Sequence, residues 1–417
     1  MRYNRIILLI TIIFISSIYS FGNNQIVKTG IEVLKDNNFD ILQGKRVGLI
    51  TNPTGVDSEL RSTIDILFEA KNVNLVALFG PEHGVRGDVY AGDKVQSSTD
   101  TKTGLPIYSI YGKNRKPTKE MLSNIDVLVY DIQDIGCRSY TFISTMGLAM
   151  IASAESDIEF IVLDRPNPLG GEKIEGNLVE DQFISFVSQF KIPYLYAQTP
   201  GELALMLNEE NMLGIKCKLK VVKMQGWKRD MIWADTKLQW VPASPHIPNS
   251  QTAIYYPTTG ILGELGYLNI GVGYPLPFQT IGAPWINGDS LADILNSKKL
   301  PGVLFRPIYY KPFYSTYQGE LCGGIEIRIT DFEKCRLTEI QFIVMEVLND
   351  MYPEKATFKN ANTKRFSMFD KVCGTDEIRI KFSKNHKWSD IKDYFSKDEQ
   401  TYFNITKKYY LNEKKVK

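Results

Sequence analysis

The sequence predicts an α/β fold built on a doubly wound parallel sheet, with a smaller C-terminal α+β domain. Over the first 230 residues, short apolar runs rich in β-branched residues alternate with longer runs of helical periodicity. That alternation is typical of repeated βαβ units. Beyond about residue 290, an alternating strand pattern (322–330) is followed by a helical one (337–352), which favours a separate α+β unit.

The predicted strands are continuous apolar runs bounded by turn residues, as expected of strands buried on both faces. Helical periodicity fills the intervals between them, for example Ile64, Leu67 and Phe68 on one face. The predicted strands are RVGLI (46–50), VNLVALF (73–79), GLPIYSIYG (104–112), IDVLVY (125–130), IEFIVL (158–163) and KLKVVKM (218–224). The predicted helices lie within 27–45, 51–72, 118–124, 142–156 and 199–213.

The segment from about 240 to 285 differs in composition, being rich in Pro, Gly, Ser, Thr and aromatic residues. We predict that it forms long ordered loops that shape a substrate cleft. The predicted organisation is a signal peptide (1–22), a catalytic domain (23–285) and a C-terminal auxiliary domain (286–417). A chain of 417 residues with 43% hydrophobic residues can bury the cores that two domains need.

The N-terminus has the layout of a secretory signal peptide. The basic segment MRYNR precedes the apolar stretch IILLITIIFISSIYS, which ends in small residues. The apolar run is short for a membrane span of about 20 residues. We therefore expect an exported protein, periplasmic or secreted, without stable membrane insertion after cleavage. The net charge of +2 and the lack of a basic block interleaved with aromatics disfavour nucleic acid as a partner.

Several kinds of site are disfavoured by missing motifs. The first strand leads into TNPTGV, which lacks the G-x-G-x-x-G turn of dinucleotide-binding proteins. The three histidines and five cysteines show no metal-ligand spacing, so we expect neither a metal nor another cofactor. Cys322 and Cys335 are one possible disulfide pair. Cys137 is either a nucleophile or a small buried residue, and the second is favoured.

Charged and polar residues cluster directly after three predicted strands. Parallel strands place such residues at one edge of the sheet, where α/β proteins bind their ligands. Because paired carboxylates carry out glycoside hydrolysis, these clusters favour a glycosidase site. The clusters are Glu82 and His83; Asp131, Gln133, Asp134 and Arg138; and Asp164, Arg165 and Asn167.

Glu82 is the leading candidate for the general acid, since a buried position between Pro81 and His83 suits a proton donor. It is equally compatible with a cap or an ion pair to Arg86. Asp131 and Asp134 are at least as compatible with a salt-bridge network to an arginine as with direct chemistry.

The remaining candidates are groups that suit substrate contacts. Arg138 and Arg165 can hold a substrate carboxylate in a bidentate pair. Tyr140, Tyr267, Tyr274 and Trp285 can stack on sugar rings. Glu175 and Glu264 are further carboxylates.

The same motifs resemble those of a family of exported bacterial proteins associated with exo-β-N-acetylmuramidases of peptidoglycan turnover. The resemblance spans about residues 30–380. It implies a Rossmann-like catalytic domain, a C-terminal auxiliary domain and a cleft between subdomains. The motifs, in family order, are GLITNPTGV, LFGPEHGVRG, GLPIYSIYG, VLVYDIQDIGCRSYT, LDRPNPLGG and IGAPW.

One stretch departs from the family pattern, GELGYLNIGVGY at 263–274. Glu264 keeps the acidic position there, whereas Tyr267 and Val272 replace an Asn and an Arg. From the residues and the resemblance together, we expect catalytic roles for Glu82, His83, Asp131 and Asp134. We expect substrate contacts from Asn52, Arg86, Gln133, Arg138, Tyr140, Asp164, Arg165, Asn167, Glu175 and Glu264.

The expected activity is exo-hydrolysis that releases N-acetylmuramic acid from the non-reducing end of peptidoglycan-derived muro-oligosaccharides. The alternative is a cell-wall binding protein that keeps the fold without the chemistry, which the altered 263–274 loop motivates. A cofactor-dependent oxidoreductase is disfavoured because the phosphate-binding glycines are missing.

Overall fold

The computed structural model of the protein describes residues 26–87, 98–112 and 114–412. The predicted signal peptide lies outside these ranges, as does the basic segment at the C-terminal end. Within them, no helix combines the length and the apolar character needed to cross a membrane.

The described residues form twelve strands in three sheets. The strands are β1 (Arg46–Thr51), β2 (Asn74–Gly80), β3 (Ser98–Thr99), β4 (Pro106–Ser109), β5 (Val127–Asp131), β6 (Glu159–Leu163), β7 (Ile174–Glu175), β8 (Leu195–Tyr196), β9 (Lys218–Val222), β10 (Thr280–Ala283), β11 (Val303–Tyr310) and β12 (Cys322–Ile329). The largest sheet has the order β3-β4-β2-β1-β5-β6-β9, and its strands are parallel except for β3.

Fourteen α-helices accompany these strands in the described part of the chain. They are α1 (Gly30–Asp36), α2 (Thr63–Glu69), α3 (Lys119–Leu122), α4 (Phe142–Glu155), α5 (Pro200–Glu209), α6 (Trp233–Thr236), α7 (Ser250–Gly263), α8 (Gly288–Ser297), α9 (Glu339–Met351), α10 (Thr357–Asn360), α11 (Phe366–Cys373), α12 (Glu377–Asn385), α13 (Lys392–Ser396) and α14 (Glu399–Thr406).

The central strands are buried on both faces, as the continuous apolar runs predict. In β5, Val127 and Val129 point into a core formed with α1 and α2, while Leu128 and Tyr130 point into a core formed with α4 and α5. Because side chains alternate across a strand, each run supplies both cores. Helices on both faces of a mostly parallel sheet confirm the doubly wound class.

The second unit is a three-stranded antiparallel sheet of order β10-β12-β11. Leu291 and Leu295 of α8 and Val344 of α9 form one core with Ile325 and Ile327 of β12. The smaller C-terminal α+β domain is therefore confirmed.

The loops predicted for 240–285 contain a helix, α7, so that part of the prediction was wrong. Pro257 and the Ser/Thr-rich composition disfavour an isolated helix, but tertiary contacts stabilise it here. Asn249 caps its first turn, where Oδ1 accepts the Thr252 N–H at 3.0 Å. Gln341 of α9 donates to the Pro257 carbonyl at 2.9 Å and accepts the Leu262 N–H at 2.9 Å.

The end of the chain returns to the large sheet. Tyr402 of α14 is buried in the core beside α5, and its hydroxyl donates to Gln198 at 2.7 Å. The Leu411 N–H donates to Glu202 of α5 at 3.0 Å. The C-terminal segment therefore stabilises the N-terminal sheet as well as its own unit.

The five cysteines are buried and free in the structure, so Cys322 and Cys335 form no disulfide there. Burial raises the pKa of the Cys137 thiol to about 12, and a protonated thiol is a poor nucleophile. Cys137 is therefore a small buried residue, the interpretation that the sequence favoured.

Candidate active site

An open cavity of about 560 Å³ lies between the carboxyl edge of the large sheet and the C-terminal unit. Its lining comes from both parts of the chain, so neither part forms it alone. The lining residues are Glu82, His83, Tyr111, Arg115, Ser139, Tyr140, Thr141, Phe142, Ser185, Phe186, Val187, Ser244, His246, Ile247, Tyr256, Glu264, Phe278, Met368 and Lys371.

Glu82 reaches this cavity from the turn that follows β2. His83 and Gly84 both have positive φ, +73° and +75°, and this tight turn sets the direction of the Glu82 side chain. The carboxylate oxygens of Glu82 accept the Tyr111 hydroxyl at 2.7 Å and the Thr141 hydroxyl at 3.5 Å. Glu82 is thus a half-buried carboxylate held at the cavity wall by side-chain donors.

Tyr111 is the closer of these two donors to Glu82. Burial, and then its hydrogen bond to Glu82, raise the pKa of Tyr111 well above its ordinary value. The phenol therefore stays protonated at any physiological pH and remains a hydrogen-bond donor to the carboxylate.

Glu264 is the second carboxylate in the cavity lining. It follows the last residue of α7, so the helix that the sequence analysis missed positions it. Burial raises the pKa of Glu264, and the nearby Arg365 opposes that shift. Glu264 therefore holds its proton to a higher pH than an exposed glutamate does.

His83, Tyr140 and His246 are further polar residues of the cavity lining. The pKa of His246 is lowered by burial and by His83, which favours its neutral form. The Nε2 atom of His246 lies 3.0 Å from the Tyr314 hydroxyl. The Tyr140 ring packs edge-to-face against Phe142 at 5.1 Å and borders the cavity.

Asp131 and Arg165, predicted to act on the substrate, lie together behind the cavity wall. Arg165 donates to both Asp131 oxygens, at 2.5 and 2.9 Å. The Thr63 hydroxyl also donates to Asp131. The structure therefore places this pair in the salt-bridge network that the sequence analysis held open, with no contact to the cavity.

Asn52, Gln133 and Asn167 are also buried away from the cavity. The side-chain oxygen Oδ1 of Asn52 accepts the Thr54 N–H at 3.0 Å within the same loop. Gln133 donates to the Pro166 carbonyl at 2.7 Å, and Asn167 donates to the Gln198 carbonyl at 3.0 Å. Gln133 and Asn167 therefore connect different loops at the sheet edge, and none of the three amides lines the cavity.

Asp134 and Asp164 are fully buried acids outside the cavity. The pKa of Asp134 is raised to about 7 by burial, against hydrogen bonds from Tyr196 and Gly136. The pKa of Asp164 is raised to about 7 by burial and by the charge of Glu202. Asp164 accepts the Gly201 N–H at 2.8 Å in the first turn of α5 and so has a structural role.

Arg138 is buried, and its donors are occupied by the protein. Its guanidinium binds the carbonyls of Asn177, Ile192 and Val372 at 2.6–2.9 Å and the Ser188 hydroxyl at 3.2 Å. The structure therefore gives a substrate carboxylate no access to Arg138.

Glu175 and Arg86 are likewise bound to other protein groups. Glu175 accepts the N–H groups of Leu337 and Thr338 at 3.2 and 2.9 Å, just before α9. Arg86 pairs with Asp100 at 2.9 and 3.0 Å.

Of the residues predicted for the site, the structure brings Glu82, His83, Tyr140 and Glu264 into the cavity lining. Five further lining residues were not predicted from the sequence: Tyr111, Arg115, Thr141, Phe186 and Lys371. One signal was available for Tyr111, because it lies near the carboxyl end of the predicted strand 104–112, at the same edge of the sheet as Glu82. The others come from loops and from α11, where no local pattern marks them.

A metal site was not expected from the sequence. Among the residues that the structure describes, no group of three or more His, Cys, Asp or Glu side chains is arranged to hold an ion. The cavity instead combines two carboxylates, two histidines and two cations.

Comparison with known protein families matches the chain over almost its full length. Residues 47–251 match the N-terminal domain of exo-beta-N-acetylmuramidase NamZ, and residues 254–411 match its C-terminal domain. The boundary predicted at 285 stays a prediction. The chain is 45% identical over 385 residues to the peptidoglycan beta-N-acetylmuramidase NamZ of Bacillus subtilis, covering 92% of this chain and 91% of that protein.

Solved structures show the same fold. One DUF1343 family protein of Bacteroides fragilis superposes with a TM-score of 0.90 at 62% sequence identity, covering 93% of this chain and 99% of that one. A second from the same organism gives a TM-score of 0.74 at 27% identity, covering 94% and 100%.

Proposed function

The chain belongs to the exo-β-N-acetylmuramidase NamZ family, and on this basis we propose that it is a glycoside hydrolase of peptidoglycan. Its substrates are peptidoglycan-derived muro-oligosaccharides, from whose non-reducing ends it releases N-acetylmuramic acid. The relative from Bacillus subtilis is named a peptidoglycan beta-N-acetylmuramidase, and the matching family models are named for an exo-beta-N-acetylmuramidase.

One structural observation carries the proposal at the level of chemistry. Two glutamates, Glu82 and Glu264, line a single open cavity. Hydrolysis of a glycosidic bond requires a proton donor for the leaving oxygen and commonly a second carboxylate to act on the sugar. The cavity therefore holds the functional groups that this reaction needs.

Glu82 is the proposed general acid. The hydroxyls of Tyr111 and Thr141 bind its two oxygens, so the carboxyl group is oriented before the substrate arrives, which lowers the cost of reaching the reactive geometry. Protonation of the leaving oxygen by Glu82 lets the glycosidic C–O bond break with a neutral sugar hydroxyl as the leaving group. Water forms the new bond to the anomeric carbon, and the proton that it releases restores the acid form of Glu82.

Glu264 is the proposed second acidic group. Because burial raises its pKa, it keeps its proton to a higher pH than an exposed glutamate does, which suits a proton carrier or a hydrogen-bond donor to the sugar. The buried pair of Asp131 and Arg165 connects the loops that follow β1, β5 and β6 to one another.

The test is hydrolysis by the purified protein of 4-nitrophenyl β-N-acetylmuramide and of the matching β-N-acetylglucosaminide. We expect release of nitrophenol from the muramide at a kcat/KM at least tenfold higher. Preference for the glucosaminide would overturn the substrate assignment. Binding of peptidoglycan fragments without hydrolysis of either compound would indicate a binding protein instead.

We also propose that the protein acts outside the cytoplasm, in the periplasm or after secretion. The basic and apolar layout of residues 1–20 supports this location, as does a substrate that lies in the cell wall. The test is the N-terminal sequence of the mature protein recovered from cell fractions. A cytoplasmic protein that retains Met1 would contradict the proposal.

A further inference from the structure

Two cationic side chains line the same cavity as the two glutamates, Arg115 and Lys371. The ion pairs found among the described residues include neither of them. By contrast, the cations predicted from the sequence to bind a carboxylate, Arg138 and Arg165, have their donors occupied by protein groups. Among the described residues that line the cavity, the cations open to a ligand are therefore Arg115 and Lys371.

Arg115 is held in place by an aromatic ring. Its guanidinium carbon lies 4.5 Å from the centre of the Phe186 ring. A guanidinium that stacks on a ring keeps its N–H groups in its own plane, where a carboxylate can bind them in a bidentate manner. Phe186 also packs 6.4 Å from Tyr111, the donor to Glu82. Arg115 thus belongs to the same wall as the proposed general acid.

Lys371 enters the cavity from α11, and the buried Arg138 connects it to the Phe186 side. One Arg138 nitrogen binds the carbonyl of Val372, next to Lys371, at 2.8 Å. Another binds the hydroxyl of Ser188, two residues from Phe186, at 3.2 Å. Arg138 therefore fixes the positions of both cation-bearing walls relative to each other, as a positioning residue.

We propose that Arg115, stacked on Phe186, and Lys371 bind the carboxylate of the lactyl ether of N-acetylmuramic acid and select this sugar over N-acetylglucosamine. The inference rests on the proposed function and names the groups that set its specificity. The two sugars differ by that lactyl ether, which carries the charge. A cavity without local cations would offer this carboxylate no opposite charge and could not favour the charged sugar over the neutral one.

The first experiment measures binding without turnover. Free N-acetylmuramic acid and N-acetylglucosamine are titrated by calorimetry into wild type, Arg115→Gln, Lys371→Gln and Lys116→Gln. Lys116 is the matched control, because it neighbours Arg115 but pairs with Glu155 at 2.7 Å and lies outside the cavity lining.

We expect wild type to prefer N-acetylmuramic acid and each cavity variant to weaken that binding about 10- to 100-fold, the usual effect of a charged hydrogen bond. Lys116→Gln should bind as wild type does. Equal wild-type affinities for the two sugars, or full affinity in both cavity variants, would overturn the inference.

The second experiment compares hydrolysis of 4-nitrophenyl β-N-acetylmuramide with that of its lactyl amide, which has no negative charge. Wild type should lose at least tenfold in kcat/KM on the amide, mostly through KM. Arg115→Gln and Lys371→Gln should treat the acid and the amide alike. Variants that lose the same factor on both compounds would show a structural role and refute the inference.

The two experiments separate the two proposals. Selective, Arg115-dependent binding of N-acetylmuramic acid by a protein that hydrolyses neither nitrophenyl glycoside would refute the proposed function while supporting the carboxylate site. Hydrolysis of the muramide by wild type and Arg115→Gln at the same kcat/KM would support the proposed function and refute the carboxylate site.

Discussion

Glu82 is the residue on which the proposed chemistry depends. Glu82→Gln keeps the shape of the side chain and an oxygen that can accept the Tyr111 hydroxyl, but it removes the transferable proton. General acid catalysis contributes about 10²–10⁴-fold, so we expect kcat on a natural disaccharide to fall by that range. The melting temperature should change little, because the side chain is only half-buried.

A substrate with a good leaving group provides the contrast for this variant. Nitrophenolate departs without protonation, so Glu82→Gln should retain much more activity on 4-nitrophenyl β-N-acetylmuramide than on the disaccharide. Glu120→Gln, on an exposed helix, serves as the control. If Glu82→Gln kept near-normal turnover on the disaccharide, the acid would be Glu264, the other glutamate of the cavity.

Arg138 illustrates the second kind of residue, one that supports the site without contacting the ligand. Arg138→Met would leave the carbonyls of Asn177, Ile192 and Val372 buried without this donor. A buried acceptor without a donor costs about 1–3 kcal/mol. We expect the free energy of unfolding in urea to fall by about 3 kcal/mol or more, with loss of sugar binding as a consequence.

Unfolding and sugar binding together test this structural role of Arg138. If Arg138→Met kept its unfolding free energy and lost only the preference for N-acetylmuramic acid, Arg138 would be the carboxylate-binding residue that the sequence analysis expected. Arg115→Gln should show the opposite pattern, with an unchanged unfolding midpoint and weaker binding of the acidic sugar.

Glu82 and Arg138 also show how far the sequence predicts the site. The position of Glu82 after a buried strand placed it at the correct edge of the sheet. Arg138 follows β5 in the same way, yet its side chain turns toward carbonyls contributed by residues 177, 192 and 372. Such long-range partners leave no local pattern, so position at the sheet edge identifies candidates but not their roles.

At the level of elements, α5 depends on a buried acid at its first turn. Asp164 follows β6 and accepts the Gly201 N–H at 2.8 Å and the Thr199 hydroxyl at 3.0 Å. The negative charge suits a helix N-terminus, but burial and the neighbouring Glu202 raise the pKa of Asp164 to about 7. Below that pH, the protonated acid still accepts the backbone N–H.

This raised pKa predicts the sign of a pH dependence. An unfolded Asp has its ordinary pKa near 3.8, so between about pH 4 and 7 the folded state binds more protons than the unfolded state does. The free energy of unfolding therefore falls as the pH rises through that window. Asp134, with a pKa also near 7, contributes with the same sign.

The measurement is urea unfolding at intervals from pH 4 to pH 8. Asp164→Asn mimics the protonated acid, so we expect a shallower fall in stability with pH than in wild type. Asp126→Asn is the control, because Arg46 holds the pKa of Asp126 at about 2, below the window. An unchanged slope in Asp164→Asn would show that this acid does not titrate there.

Elements differed in how well the sequence predicted them. The strands β1, β2, β5 and β6 each consist of a continuous apolar run, because both faces of the sheet are covered by helices. Helix α7 was missed since its stability comes from Gln341 of α9 and not from its own composition. A local pattern predicts an element only where local preferences and tertiary contacts agree.

On the scale of the whole molecule, the N-terminal and C-terminal parts of the chain both contribute walls to the cavity. The sequence did not predict these joint walls, because they depend on contacts between residues more than 150 positions apart. Glu175 of β7 accepts the N–H of Thr338, the residue before α9. Arg138 donates to the carbonyl of Val372, near the end of α11. The cavity walls from the two parts therefore hold each other in place.

The C-terminal segment extends this sharing to the last described residues. Asp398 and Glu399 accept the N–H groups of Leu178 and Gly176 at 2.9 and 3.1 Å, on either side of Asn177, whose carbonyl binds Arg138. Tyr402 fills the core beside α5. A chain that ends at residue 397 loses all of these contacts at once.

We expect that truncated chain to unfold at a lower urea concentration, with a free energy of unfolding reduced by more than the about 3–5 kcal/mol typical of removing one buried aromatic side chain. It should also bind N-acetylmuramic acid more weakly, because the Asn177 carbonyl that orders Arg138 loses its support.

Tyr402→Phe separates the contribution of the Tyr402 hydroxyl from that of its ring. It keeps the ring in the core and removes only the 2.7 Å bond to Gln198, so its loss should be about 1–3 kcal/mol. A chain that ends at residue 412 is the control and should match wild type. Wild-type unfolding and sugar binding in the chain that ends at 397 would show that the N-terminal sheet and the cavity are stable without the returning segment.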